Sequence, residues 1–283
     1  MNDSNHPSKP ASPRKPNIRS VILPAEHGAW AALIEAILMG FLVSFTWQSI
    51  VVAINAILLG LCLQPCKIVL RGPANKYQIP RYKAAKKAFA ILAPLSTALL
   101  IFNVLLPAIS PSFALVLLVS VPMVLIHWVY ESNNQPRHLL AVLSGMLAIT
   151  MVAPAMAAAD APKAAFVSTV LLILAARQIS SISYARHIVR KSKGLPAPYS
   201  SILTLHLIGL MCILLIPAIS PSIAQSVQIA FLSIYAILCF RTIIGLVILK
   251  QRGSIKPKIL GLTELAIGII YVISTSYLLK PYP

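Results

Sequence analysis

Residues 23–42 read LPAEHGAWAALIEAILMGFL. From Gly28 to Trp47 the run carries one charge, Glu35, and it has the length of about 20 apolar residues that a helix needs to cross about 30 Å of hydrocarbon. The rest of the chain repeats the pattern. Comparable runs fall at 49–69, 88–108, 112–130, 139–159, 164–185, 201–219, 224–249 and 259–279. With 58% hydrophobic and 11% charged residues among 283 and a mean hydropathy of +0.83, the chain carries far more apolar surface than one soluble core consumes. The fold class expected is all-α: a polytopic membrane helical bundle of about nine transmembrane helices, residues 21–283, behind a disordered cytoplasmic arm, residues 1–20, rich in Pro, Ser, Lys and Arg.

A net charge of +18 suggests nucleic acid, but its distribution argues otherwise. Lys and Arg gather in the arm (Lys9, Arg14, Lys15, Arg19), in 70–87 (Arg71, Lys76, Arg81, Lys83, Lys86, Lys87), in 186–193 (Arg186, Arg190, Lys191, Lys193) and in 250–258 (Lys250, Arg252, Lys256, Lys258). The alternate turns, WQS, SPS, ADAPK and SPS, hold only Lys163. This is the positive-inside pattern of a multi-pass membrane protein, with the N-terminus cytoplasmic and KPYP outside. No nucleic-acid partner is expected; membrane lipids are.

The string PAISPS occurs at 107–112 and again at 217–222. The 110-residue shift spans four crossings, an even number, so the halves would run parallel as a four-plus-four pseudo-repeat followed by a ninth helix. Nearly the same shift lays His27 over His138, and it lays the basic end Lys67–Lys76 over Arg177–Arg186.

Charges in hydrocarbon are costly and face a partner, a cavity or a substrate. Glu35, Arg177, Arg241 and Glu264 are expected inside spans, all in the cytoplasmic half. Arg177, Tyr184 and Lys191 recur at seven-residue steps, and Ser183, Arg186, His187 and Arg190 form one helical stripe. Two basic clusters at equivalent helix ends would form a bowl for an anionic head, bound bidentately by Arg and as a point charge by Lys. The substrate-binding candidates are His27, Lys67, Arg71, Lys76, Arg177, Arg186, Arg190 and Arg241; the catalytic candidates are Glu35, Tyr184 and Glu264. Lys83, Lys86, Lys87 and Lys193 are read as topology determinants, and Glu26 as a favourable charge at a helix start. Glu35 needs a cation, and a basic residue of the bowl is the expected partner. Cys62, Cys66, Cys212 and Cys239 are read as packing residues and His127 and His206 as packed, hydrogen-bonded rings; no metal or cofactor site is expected.

LPAEHGAW opening the first span, YESNNQPRHLLAVLSG before the fifth, SYARHIVRKSKG closing the sixth and KPKILGLTELAIGIIYVI in the ninth resemble the YwiC-like bacterial membrane proteins. That likeness implies location and architecture rather than a reaction. The architecture is also similar, more remotely, to UbiA-type prenyltransferases, whose Asp-rich motifs hold Mg²⁺ and a prenyl diphosphate at the ends of spans two and six. Here 62–82 and 177–194 contain no Asp or Glu, so a diphosphate would be held directly by Lys67, Arg71, Lys76, Arg186 and Arg190. Three readings follow: a UbiA-like protein that binds an isoprenoid or lipid with an anionic head, with or without prenyl transfer; a carrier for a small organic anion or lipid; or a non-catalytic membrane subunit.

Overall fold

The computed structural model describes residues 21–23, 27–73, 75–105, 111–159, 163–280 and 282. The expected arm, 1–20, and Glu26 lie outside them, as do most of the first PAISPS string and the side chains of His27 and Lys76. The described residues form helices α1 (His27–Val43), α2 (Trp47–Arg71), α3 (Ile79–Leu105), α4 (Pro111–Ser132), α5 (Leu139–Thr150), α6 (Val152–Ala158), α7 (Ala164–Ser192), α8 (Tyr199–Leu214), α9 (Ile216–Ile219), α10 (Gln225–Arg252) and α11 (Pro257–Leu279). With α5 and α6 taken as one span and α8 and α9 as another, eight helices are long and apolar enough to cross a membrane. The shorter α1 makes a ninth apolar helix, about 25 Å long at 1.5 Å per residue. The chain is a multi-pass membrane protein.

Each break has a local cause. At the α1–α2 turn, Thr46 Oγ1 accepts from Ser49 N at 3.2 Å and Ser49 Oγ accepts from Thr46 N at 3.0 Å, a reciprocal cap that satisfies two otherwise orphaned amides. Pro217 has no N–H to give the carbonyl four residues back, and α8 gives way to α9 there. That carbonyl, Ile213 O, accepts instead from Gln228 Nε2 on α10 at 2.8 Å. Pro154 acts on the α5–α6 junction by the same rule. Two helices overrun the expected spans: α3 begins at Ile79 rather than 88, and α7 continues to Ser192 rather than 185. The added turns carry Arg81, Lys83, Lys86 and Lys87, and Arg186, Arg190 and Lys191; hydropathy marks only the apolar part of a helix, and these turns continue it beyond the hydrocarbon.

Helix ends alternate between two sides. Glu131 at the end of α4 meets Lys67 and Arg71 at the end of α2. Arg186 near the end of α7 donates to Arg137 O before α5, and Ser192 Oγ accepts from Ile255 N before α11 at 3.1 Å. These share the basic side. At the other side Thr169 Oγ1 lies 2.8 Å from Ser220 Oγ, and Tyr282 Oη accepts from Ala224 N at 3.4 Å.

Helix α7 is the axis. In its apolar window 78% of residues are buried, against 11% in α3 and α4, whose outward Leu, Ile and Val side chains form lipid-facing surface. The main core combines Ala36 and Met39 of α1, Val170, Ile173 and Leu174 of α7, Phe231 and Tyr235 of α10, and Tyr271 and Val272 of α11. Close approach of α7 and α8 depends on Gly209. A Cβ there would lie 2.3 Å from Tyr235 Oη, 2.9 Å from Ser180 Oγ and 3.1 Å from the backbone Ala176 O. Tyr235 is itself held, donating to His206 O at 2.7 Å, so the ring cannot yield freely. Gly209→Ala is expected to lower the thermal midpoint of detergent-purified protein by the equivalent of about 1–3 kcal/mol, the cost of overpacking. An unchanged midpoint would mean that α8 shifts without penalty.

Candidate functional site

Four ionisable side chains from four helices meet beside the core. Arg177 of α7 is 1% exposed. Its Nη2 donates to Glu35 Oε1 at 3.3 Å and to the backbone Glu264 O at 2.7 Å, and its Nη1 donates to Glu264 Oε2 at 3.5 Å. The Glu264 carboxylate leans toward Arg241 of α10, whose Nη2 donates to Oε2 at 2.7 Å, and it also accepts from Ser181 Oγ. Gln178 Nε2 donates to Glu35 Oε2 at 2.9 Å. Glu35 is thus held at both oxygens, by the adjacent residues Arg177 and Gln178 of one helix. Two acids and two arginines sum to zero charge, which is how such groups become tolerable in hydrocarbon.

Two glycines make room for this quartet. A Cβ on Gly268 of α11 would lie 1.8 Å from Glu35 Oε1, and one on Gly245 of α10 would lie 2.0 Å from Tyr184 Oη. Tyr184, a catalytic candidate from the sequence, is buried with its ring 4.3 Å beneath the Arg241 guanidinium, a cation–π contact that supplements the pairing to Glu264. Arg241 Nη1 donates to Thr242 Oγ1 at 3.4 Å, and Thr242 Oγ1 lies 3.0 Å from His206 Nε2. His206 belongs to this buried network, and His127 Nδ1 lies 2.9 Å from Ala141 O.

The remaining candidates separate from the quartet. Lys67 and Arg71 line a cavity of about 200 Å³ between the end of α2 and the start of α3, with Gln64, Ile68, Gly72, Pro73, Gln78, Arg81 and Tyr82. Behind them stands Glu131, 4% exposed; it accepts from Arg71 Nη2, and its Oε2 lies 3.2 Å from Lys67 Nζ. Arg186 and Arg190 are engaged with loop backbone, donating to Arg137 O and to Pro196 O. The single bowl expected from sequence is therefore two places: a sealed quartet and a peripheral pocket. Glu131, Gln178 and Ser181 were not picked out from the sequence. Glu131 carried a usable signal, since the chain has only six acidic residues and the 110-residue shift that takes Lys67 to Arg177 takes Glu131 to Arg241. Among the described residues no group of three or more His, Cys, Asp or Glu side chains could hold a metal ion.

The sequence model of the YwiC-like protein family matches residues 23–157. Over that stretch, a little under half of the chain, the sequence is similar to the YwiC-like family. No curated protein and no solved structure matches the chain. The YwiC-like stretch covers α1–α6 and so includes Glu35, Lys67, Arg71, Arg81 and Glu131, whereas Arg177, Arg241 and Glu264 follow it.

Removing one charge from the quartet leaves another buried and unpaired. Glu35→Gln is expected to destabilise the protein by about 3–5 kcal/mol, read as a drop in thermal midpoint in detergent. Glu35→Gln combined with Arg177→Gln should cost less than the sum of the single changes, and Lys193→Gln, on an exposed residue, should leave the midpoint unchanged. Strict additivity of the first two would show that they do not compensate each other.

Proposed function

We propose that the protein binds the anionic head of a membrane isoprenoid or lipid in the pocket between α2 and α3, with the basic helix ends at the cytoplasmic face of a bacterial inner membrane. The observation that carries this reading is the convergence of Lys67, Arg71 and Arg81 on one cavity. Arg offers a planar fork and Lys a compact charge to phosphate oxygens, and Gln64, Gln78 and Tyr82 add neutral polar groups. Size supports a head rather than a whole ligand: about 200 Å³ exceeds the roughly 30 Å³ share of a water molecule several-fold and falls below the roughly 300–1,000 Å³ of sites that enclose drug-sized molecules. The tail would remain in lipid, beside helices whose outward faces are apolar.

The quartet contributes differently to this reading. Its arginines already face carboxylates, so it holds the bundle while the pocket takes the ligand. The remoter likeness to UbiA-type prenyltransferases would place a prenyl diphosphate at this helix end. Here lysine and arginine would hold the phosphates themselves.

A thermal-shift titration of detergent-purified protein with farnesyl diphosphate in EDTA tests the reading. At 100 times its dissociation constant the ligand should add about 2.7 kcal/mol of stability. Arg71→Gln, which removes one of the two cations paired with Glu131, should lower the ligand-free midpoint and abolish the shift measured against that variant's own ligand-free midpoint. Absence of any shift in wild type would overturn the reading and favour a carrier or a subunit.

A further inference from the structure

Glu131 sits where a carboxylate is locally disfavoured. It lies in the last turn of α4, at the negative end of the helix dipole, and is 4% exposed. What holds it there is the pair Lys67 and Arg71, and both of these line the pocket while Glu131 does not. An anion entering the pocket therefore meets two cations that already face an anion of the protein's own. Arg71, 48% exposed, and Lys67, 16% exposed, can turn toward a ligand only by sharing or leaving Glu131.

The surroundings give this arrangement a consequence. Basic residues at helix ends attract anionic lipid headgroups in general, and the bulk anionic phospholipids are phosphodiesters that carry one negative charge. Without a competing anion, Lys67 and Arg71 would attract them as readily as any other anionic head. A tethered carboxylate competes at the high effective concentration of an intramolecular partner, matching a phosphodiester in charge and yielding to a head with two or more charges. Specificity of this kind comes from the repulsive element as much as from the attractive ones. Resting on the reading of the pocket as a headgroup site, we propose that Glu131 is its specificity-determining residue, a built-in competing anion that reserves Lys67 and Arg71 for lipids ending in a phosphate monoester or diphosphate.

The test compares dissociation constants of farnesyl diphosphate and phosphatidylglycerol for wild type, Glu131→Gln and Glu131→Asp in a neutral detergent. Wild type should bind the diphosphate and hold phosphatidylglycerol at least about tenfold more weakly. Removing the competing charge should tighten phosphatidylglycerol by about tenfold or more, the worth of a hydrogen bond to a charged group, and farnesyl diphosphate by less, so that the wild-type preference shrinks; an unchanged ratio of the two dissociation constants would overturn the assignment of specificity to Glu131. Glu131→Asp, with a carboxylate drawn back by one methylene, should gain part of that affinity and carries the test if the glutamine variant fails to fold. Wild-type binding with equal or weaker binding by the variants would overturn the proposal, because Glu131 would then only orient the cations. Binding of neither lipid by wild type and variants alike would remove the headgroup site itself.

Discussion

The fold turns on a guanidinium that has no water to face. Arg177 lies in the most enclosed helix of the bundle, 1% exposed, and a charge at such depth persists only if the protein builds its solvation. Most of the architecture follows from that requirement. Helix α1 brings Glu35, α11 brings both the carboxylate and the backbone carbonyl of Glu264, and α10 brings Arg241 to balance the second acid. Gly268 lets α11 lie against the Glu35 carboxylate, so the ninth helix is part of the charge balance and not an appendage. Once Arg177 is fixed, the neighbouring residues of α7 are committed: Gln178 to Glu35, Ser181 to Glu264, and Tyr184 to the face of Arg241.

The peripheral pocket answers a similar electrostatic problem at lower cost. The shift that relates the two PAISPS strings carries Lys67 to Arg177 and Glu131 to Arg241. At the first pair the charges are opposite and compensate directly, 3.2 Å apart. At the second pair both residues are cations, and the missing negative charge comes from Glu264 outside the repeat. The two places also differ in access to the surface. The inner one is closed by its own carboxylates, with every charged group largely buried. The outer one keeps Arg71 half exposed and opens onto a cavity, so its cations can exchange partners.

Hydropathy and charge carried the architecture in the sequence because hydrocarbon is an exacting solvent. Spans of about 20 apolar residues and basic residues confined to alternate turns leave few foldings open, and the nine apolar helices among the described residues follow them. The same logic made Glu35, Arg177, Arg241 and Glu264 stand out, since so few charges fall inside apolar runs. Which of them touch depends on helix rotation and neighbour order, and neither is encoded in hydropathy. Lateral position also decided Tyr184, whose seven-residue spacing from Arg177 is real but whose ring turns toward α10. The start of α3 and the end of α7 were underestimated because those turns leave the hydrocarbon and lose the apolar signal. Glu131 was passed over because it closes a span instead of interrupting one, although its counter-ions stand 64 and 60 residues earlier in the chain.

The boundary of the YwiC-like match sharpens this division. Residues 23–157 contain the pocket with its counter-charge: Lys67, Arg71, Arg81 and Glu131. They contain one member of the quartet, Glu35, whose hydrogen-bond partners Arg177 and Gln178 both follow at the start of the basic end of α7. A carboxylate buried in the first apolar helix of that stretch is therefore compensated from outside it. The stretch that matches the family model holds the basic pocket and its counter-charge, but its buried Glu35 is compensated only by α7. Burial of Glu35 makes the two halves one folding problem, even though the pocket belongs to the first half alone.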